Sequence, residues 1–416
     1  MVSARLPNRW LLPAFLAVAA GLNFGDRAAL SAVLAAIRNE FGSTDIALGL
    51  LGSAFLWSYA LASPFAGSLA DRYSRSRLIL ASLLTWSVVT LLVGLAHNYP
   101  MLLALRFALG LTECLFLPAA VALVADHHGA ETRARALSLL TIGIQSGMVC
   151  GSTFSGWMAD IHGWRSGFLV LGSGGIVLAI LGQMLFQTRR IPSLPGGLRQ
   201  KARSPFEAIR YLARVRSYQV LIVESLLSGF GMWVFFAWLP LYFRDTFNMS
   251  LAAAGFAGTF MLQVAVVMGT LVGGWFSDFV AGQAPHRRMA LYGTFYLLAS
   301  PFLLLFLGRP ELPVLVAGIS LFAFFRGVGQ SNDNPTQCEV VPSQFRSTGV
   351  GIMNAVSTAA GGCGVFAAGY LKREIGLDMV FAGLSAIFAL AGFMLLIGYR
   401  FFMRADIARA QTTAHM

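Results

Sequence analysis

Gly67-Ser68-Leu69-Ala70-Asp71-Arg72-Tyr73-Ser74-Arg75-Ser76-Arg77 closes one long apolar run and leads into the next. An acid and several arginines crowd a short turn between two segments that otherwise avoid charge. The pattern returns later as Gly274-Trp275-Phe276-Ser277-Asp278, followed by Arg287 and Arg288. Further matches keep a constant offset: Arg133, Gly151 and Gly156 recur as Arg346, Gly364 and Gly369. Arg106 has a counterpart in Arg326. Self-similarity on this scale marks a chain built from two related halves.

The rest of the sequence says what solvent those halves occupy. Of 416 residues, 57% are hydrophobic and only 12% are charged, with a mean hydropathy of +0.70. Soluble domains carry about 25% charged residues. The chain is therefore read as all-α and integral to a membrane. Windows of about 19 residues predict twelve spans, near 10–37, 46–69, 78–97, 100–125, 135–159, 166–187, 218–242, 251–277, 289–308, 312–337, 347–371 and 377–402. Residues 188–216 hold Arg189, Arg190, Arg199, Lys201, Arg203, Arg210, Arg214 and Arg216. They read as a basic cytoplasmic linker between a six-helix half at 1–187 and another at 217–416.

A net charge of +12 would suggest a nucleic-acid partner in a soluble protein. Here the positive-inside rule accounts for it. With both termini cytoplasmic, the basic residues placed outside are only Arg38, Arg165, Arg244, Arg309, Lys372 and Arg373. No nucleic-acid partner is expected; membrane lipid is. Arg5 and Arg9 before an apolar run resemble the start of a signal peptide. The run continues to Ile37, long enough to span a bilayer, which takes about 20 residues. Cys114, Cys150, Cys338 and Cys363 have neither metal-ligand nor CxxC spacing and read as small packing residues. There is no GxxxxGK[ST] loop and no HExxH motif, so an ATP-driven pump or a zinc enzyme is not indicated. No cofactor or metal and no enzymatic activity are expected, and a monomer is.

The information lies in polar residues within spans. Asn23-Phe24-Gly25-Asp26-Arg27 puts two charges near mid-membrane, where each costs roughly 2.5–3.5 kcal/mol on insertion scales. Adjacent residues do not face each other on a helix, so Asp26 and Arg27 each need a partner elsewhere. Span four carries Arg106, Gly110 and Glu113 on one face, at i, i+4 and i+7. Arg106 and Glu113 stand about 10.5 Å apart along the axis at 1.5 Å per residue. Gly110 leaves a gap for a neighbouring helix or a ligand. Other spans add Tyr59, Gln145, Glu224, Arg326, Asp333 and Asn354. Arg326 faces either the substrate or Asp333, two turns on. Glu224 reads equally as a functional or a structural acid.

The loop Gly67–Arg77 is similar to the signature loop of the major facilitator superfamily, with Ser74 where that family usually has Gly. Span count, linker and repeat extend the resemblance over the whole chain. It implies a transporter fold with a substrate site at the repeat interface. Asn-x-x-Asp-Arg in span one, Tyr59, and Arg-x3-Gly-x2-Glu in span four together resemble the anion:cation symporter family. By that resemblance Asp26 and Glu113 are linked to protonation, and Arg106 pairs with or gates the acids. Arg27 and Tyr59 touch the substrate, with Gln145, Asn354 and Arg326 as further contacts. Phe24 lacks the hydroxyl usual after the first Asn, and Ile144 stands where the span-five Gln is expected. Asp71, Arg75 and Asp278 read as gating residues at the cytoplasmic rim.

The expectation is proton-coupled symport of a small organic anion, a carboxylate such as a sugar acid or monocarboxylate, across a cell membrane of the bacterial inner-membrane type. A carboxyl that moves between a desolvated site and an arginine partner changes its proton affinity, which is what coupling requires. The Asp-Arg pair of span one also occurs in spinster-type lipid transporters. A proton-driven exporter of drugs or lysolipids is therefore the alternative.

Overall fold

Lipid offers the backbone no hydrogen bonds, so a spanning segment must satisfy its own, and a helix does. The computed structural model describes residues 10–188, 205–282, 284–342 and 345–414, and among these there is no strand. The core of the linker read at 188–216 lies outside the described residues.

The first half opens with α1 (Leu11–Phe41), which ends at Gly42 in the left-handed region, φ 59°. There the Gly42 N–H returns to the Arg38 carbonyl, and glycine adopts this conformation without a side-chain clash. The Thr44 side chain caps α2 (Asp45–Arg72) by accepting from the Ala47 N–H. Then come α3 (Arg75–Gly94), α4 (Tyr99–Glu113), α5 (Phe116–His127), α6 (Ala130–His162) and α7 (Trp164–Thr188). A short α8 (Pro205–Leu212) precedes α9 (Arg216–Phe247) and α10 (Leu251–Ala281). Next are α11 (Arg287–Ala299), with a 3₁₀ continuation at Ser300–Gly308, α12 (Leu312–Gln330) and α13 (Asp333–Val340). The chain closes with α14 (Arg346–Phe401) and α15 (Met403–Ala414).

Ten helical runs are long and apolar enough to cross a membrane, α4 with α5 and α12 with α13 each counting as one. One of the ten, in α14, turns back at Gly376 (φ 80°, ψ 161°) and supplies two spans. The charged α1 completes twelve. Between 22% and 56% of each apolar window is buried, so much of the remaining apolar surface faces outward. Trp275, Phe279 and Leu271 are examples of exposed large side chains, and lipid is the solvent that such a surface suits.

Three details depart from uninterrupted spans. Span four breaks between Glu113 and Phe116, and span ten between Gln330 and Asp333. Span nine finishes as 3₁₀ helix. The last two spans are joined at one glycine rather than by a loop. Hydropathy registers length and polarity, and none of these features changes either.

The described residues form two compact units, within Met1–Leu198 with Phe236–Thr259, and Arg199–Phe235 with Phe260–Met416. In the first unit the Asp160 carboxylate accepts from the Leu251 and Ala252 N–H groups at 3.1 and 3.0 Å. It thereby caps the start of α10 and favours the helix dipole. Arg38 grips Asp245 with two hydrogen bonds of 2.9 and 3.0 Å. The second unit has an aromatic centre, where Phe235 stacks on Phe381 and Phe322 at 5.0 and 5.4 Å between ring centroids.

Helices α1 and α6 approach backbone to backbone. Gly143, Gly147 and Gly151 recur every fourth residue on one face of α6, against Ala17, Gly21 and Gly25 of α1. A Cβ added at Gly147 would lie 2.1 Å from the Gly21 carbonyl oxygen. Small-residue seams of this kind let transmembrane helices pack closely. Gly147→Val should destabilise the protein by about 1–3 kcal/mol, the usual cost of overpacking. The readout is the thermal unfolding midpoint in detergent. Gly174→Val, where an added Cβ meets nothing within 4 Å, should leave that midpoint unchanged.

Candidate transport site

α1 delivers Asn23, Asp26 and Arg27 to the interior of the first unit. Asn23 and Arg27 are one helical turn apart, so the Arg27 Nη2 donates to Asn23 Oδ1 at 2.9 Å. Arg27 Nε donates to Glu113 Oε2 of α4 at 2.7 Å. The pair is almost dry: its side chains are 8% and 0% exposed. Three aromatic rings surround the guanidinium, with centroids 4.4 Å away for Phe24, 4.7 Å for Tyr59 and 5.1 Å for Phe55. Ring faces attract a cation, and more so when it is desolvated. The site thus holds Arg27 by an acid, an amide and a cage of rings.

Asp26 is 2% exposed and accepts a hydrogen bond from the Thr90 hydroxyl of α3 through Oδ2. Its Oδ1 has no hydrogen-bond partner among the described residues, and neither has Glu113 Oε1. Arg106, also 2% exposed, stacks on Phe55 with its guanidinium carbon 4.9 Å from the ring centroid. Its Nε and Nη1 lack hydrogen-bond partners among the described residues, while Asp26 and Glu113 both lie within its electrostatic reach. Two arginines and two acids therefore share one buried cluster with several unused donors and acceptors. Buried polar groups are normally satisfied, so these atoms mark a place where protons, water or a ligand would bind.

Several readings from sequence resolve here. The hydrogen-bonded partner of Glu113 is Arg27 rather than Arg106, since the Arg27 side chain reaches across from α1 to α4. The gap at Gly110 is filled by α2: an added Cβ would lie 2.0 Å from Ser58 Oγ and 2.4 Å from the Phe55 carbonyl oxygen. Tyr59 belongs to the cluster through its ring, and Gln145 sits half-buried on α6. Thr90 carries no signal in the sequence that links it to Asp26, while the Asn23 contact is visible as an i, i+4 spacing.

The remaining candidates lie elsewhere. Arg326, buried on α12, and Asn354, exposed on α14, belong to the second unit. Arg75 pairs with Asp126, and also reaches the Ala122 carbonyl at 3.4 Å. The side chain of Asp71 lies outside the described residues. Asp278 pairs with Arg288 at 2.8 Å, and Arg288 also reaches Glu339 at 3.3 Å. Cys114 is buried, while Cys150, Cys338 and Cys363 are exposed.

The second unit has its own buried charges. Glu224 of α9 is 2% exposed and Arg326 6%. Tyr292 and Tyr296 of α11 hydrogen-bond to Glu224, and Arg326 and Asp333 face it electrostatically. The tyrosines sit in an apolar span where sequence alone reads them as packing.

Comparison with known proteins fits this architecture. A "Probable galactarate/D-glucarate transporter GudP" of Bacillus subtilis (strain 168) is 25% identical, over 94% of this chain and 92% of that protein. A "Probable L-galactonate transporter" of Escherichia coli (strain K12) is 26% identical over 73% of this chain and 70% of its own length. The crystal structure of a bacterial homolog of the human lysosomal transporter Spinster superposes with a TM-score of 0.74 at 20% identity. It covers 96% of this chain and 97% of that one. At that identity the likeness is one of fold. Residues 16–362 match the family described as Major Facilitator Superfamily, and this multi-pass membrane protein belongs to that superfamily of transporters.

Proposed function

We propose that this protein is a proton-coupled symporter of a small organic anion, a carboxylate of the sugar-acid type, working by alternating access. The reading places it in a bacterial inner membrane with both termini cytoplasmic. The observation that carries it is the dry Arg27–Glu113 pair at 2.7 Å. A substrate carboxylate matches the guanidinium fork and would compete with Glu113 for it. When the carboxylate arrives, the Arg27–Glu113 ion pair breaks and a new one forms with the substrate. Glu113, left without its cation, takes a proton onto its carboxylate.

Charge supports the same sequence of events. The cluster holds Asp26, Glu113, Arg27 and Arg106, two acids against two cations. A carboxylate that enters with one proton keeps that sum at zero, which avoids the large cost of an unbalanced charge in a low-dielectric site. A dianionic sugar acid would bring a second proton, and Asp26, with its unused Oδ1, is its acceptor. Tyr59 and Gln145, in the same unit as Arg27, would hold the substrate's other oxygens. Asp71, Arg75 and Asp278 would act in gating. Relatives named for galactarate, D-glucarate and L-galactonate suggest which carboxylates to test first.

Glu113→Gln should abolish pH-gradient-driven accumulation of D-glucarate or L-galactonate in proteoliposomes. It should leave exchange of internal for external substrate intact. Accumulation that survives in this variant would refute Glu113 as the coupling group. Arg27→Ala should weaken binding of the same carboxylates about 10- to 100-fold, since a hydrogen bond to a charged group is worth about 1.5–3 kcal/mol. Calorimetric titration checks this, and unchanged affinity would remove Arg27 from the site.

A further inference from the structure

The repeat that pairs Arg106 with Arg326 continues seven residues further: Arg106-x6-Glu113 corresponds to Arg326-x6-Asp333. The structure strengthens the correspondence. Glu113 is the last residue of α4, beside the break before α5, and Asp333 is the first residue of α13, beside the break after α12. Each half therefore interrupts one helix next to an acid that follows a buried arginine. Broken helices at mid-membrane are a recurring place for ion sites in transporters.

The two halves differ in charge balance. In the first, two acids meet two arginines. In the second, Glu224 and Asp333 meet Arg326, and the other titratable groups facing Glu224 are the Tyr292 and Tyr296 hydroxyls. One acid is in excess. Glu224 is 2% exposed, and among the described residues its Oε1 has no hydrogen-bond partner. Among the same residues Arg326 Nε and Asp333 Oδ1 have no hydrogen-bond partner either. The Tyr296 hydroxyl lies 3.2 Å from Ser228 Oγ, and its ring meets that of Tyr292 edge-on at 5.0 Å. The phenols are thus fixed against the acid. A buried excess charge is expensive unless a cation neutralises it. A metal ion suits the site poorly, because Arg326 already occupies it with positive charge. Among the described residues no group of three or more His, Cys, Asp or Glu could hold a metal.

We propose that Glu224 and Asp333 form a second proton-binding site, separate from the Asp26–Glu113 cluster, which holds one shared proton at rest and gives it up during the transport cycle. The resting proton stands on the charge count of this cluster. Its release in the cycle rests on the proposed proton-coupled transport.

Two measurements separate these parts. Infrared titration of the purified full-length protein without substrate reads the carbonyl stretch of protonated buried carboxyls. The wild type and Glu113→Gln should show a titrating band of this kind. Glu224→Gln and Asp333→Asn each leave one acid against one arginine, so each should lose it, whereas Glu224→Asp should retain it. Loss in either neutral variant supports the site. A wild-type spectrum with no titrating buried carboxyl overturns it, as does persistence of the band in both neutral variants, and the wild-type arm stands even where a variant does not fold. In proteoliposomes, the reversal potential of D-glucarate flux should report one proton fewer per substrate for Glu224→Gln than for the wild type. An unchanged proton count overturns release in the cycle. If no carboxylate is carried at all, the proposed function fails while the infrared result still decides the site.

Discussion

The Arg27–Glu113 ion pair is the constraint around which the first unit is arranged. A guanidinium in the interior of a membrane protein is costly, and a partner at bonding distance lowers that cost. The 2.7 Å bond ties α1 to α4. Once α1 is fixed there, its small-residue face, Ala17, Gly21 and Gly25, meets the glycines of α6. Asp26, one residue before Arg27, then points to Thr90 of α3. The aromatic cage of Phe24, Phe55 and Tyr59 is drawn from α1 and α2, the helices that flank the guanidinium. A buried ion pair often contributes little net stability, because desolvation offsets the attraction. Under the proposed mechanism its retention is understood through transport, in which the pair would open.

The two halves show how one ancestral pattern supports different chemistry. Both keep an arginine and, seven residues on, an acid at a helix break. The first half adds an arginine and an acid from α1, Arg27 and Asp26, so its two acids and two arginines balance. The second adds an acid, Glu224, and two phenols, which leaves two acids against one arginine. The same backbone device thus carries different charge balances, set by what the neighbouring helix contributes.

Much of this was legible in the sequence. Length, hydropathy and the repeated turn at Asp71 and Asp278 led to twelve spans in two halves, with ends within several residues of the observed helices. The face Arg106-Gly110-Glu113 followed from helical period. What the sequence left open depends on helix-to-helix register. Glu113 could have met Arg106 or Arg27, and Gly110 could have admitted a ligand or, as it does, α2. The link between Asp26 and Thr90 spans 64 residues, with no local pattern to suggest it. The role of Tyr292 and Tyr296 was hidden because aromatic residues in apolar spans are usually packing or interface anchors. The helix breaks at Cys114–Leu115 and Ser331–Asn332 each lie just before a proline, Pro118 and Pro335, whose ring clashes with the carbonyl four residues back, at Cys114 and Ser331; hydropathy windows do not register that signal.

The charges on α1 also bear on how the protein is made. Asp26 and Arg27 each burden insertion by roughly 2.5–3.5 kcal/mol, so α1 is poorly suited to lipid by itself. Thr90 lies 64 residues downstream of Asp26, and Glu113 lies 86 downstream of Arg27. At roughly 5–20 residues per second, α1 waits several seconds or more before these groups exist. During that interval it needs a protein-lined or hydrated surrounding. α1 therefore emerges well before the residues that complete it, and its burial waits until the span that carries Glu113 arrives.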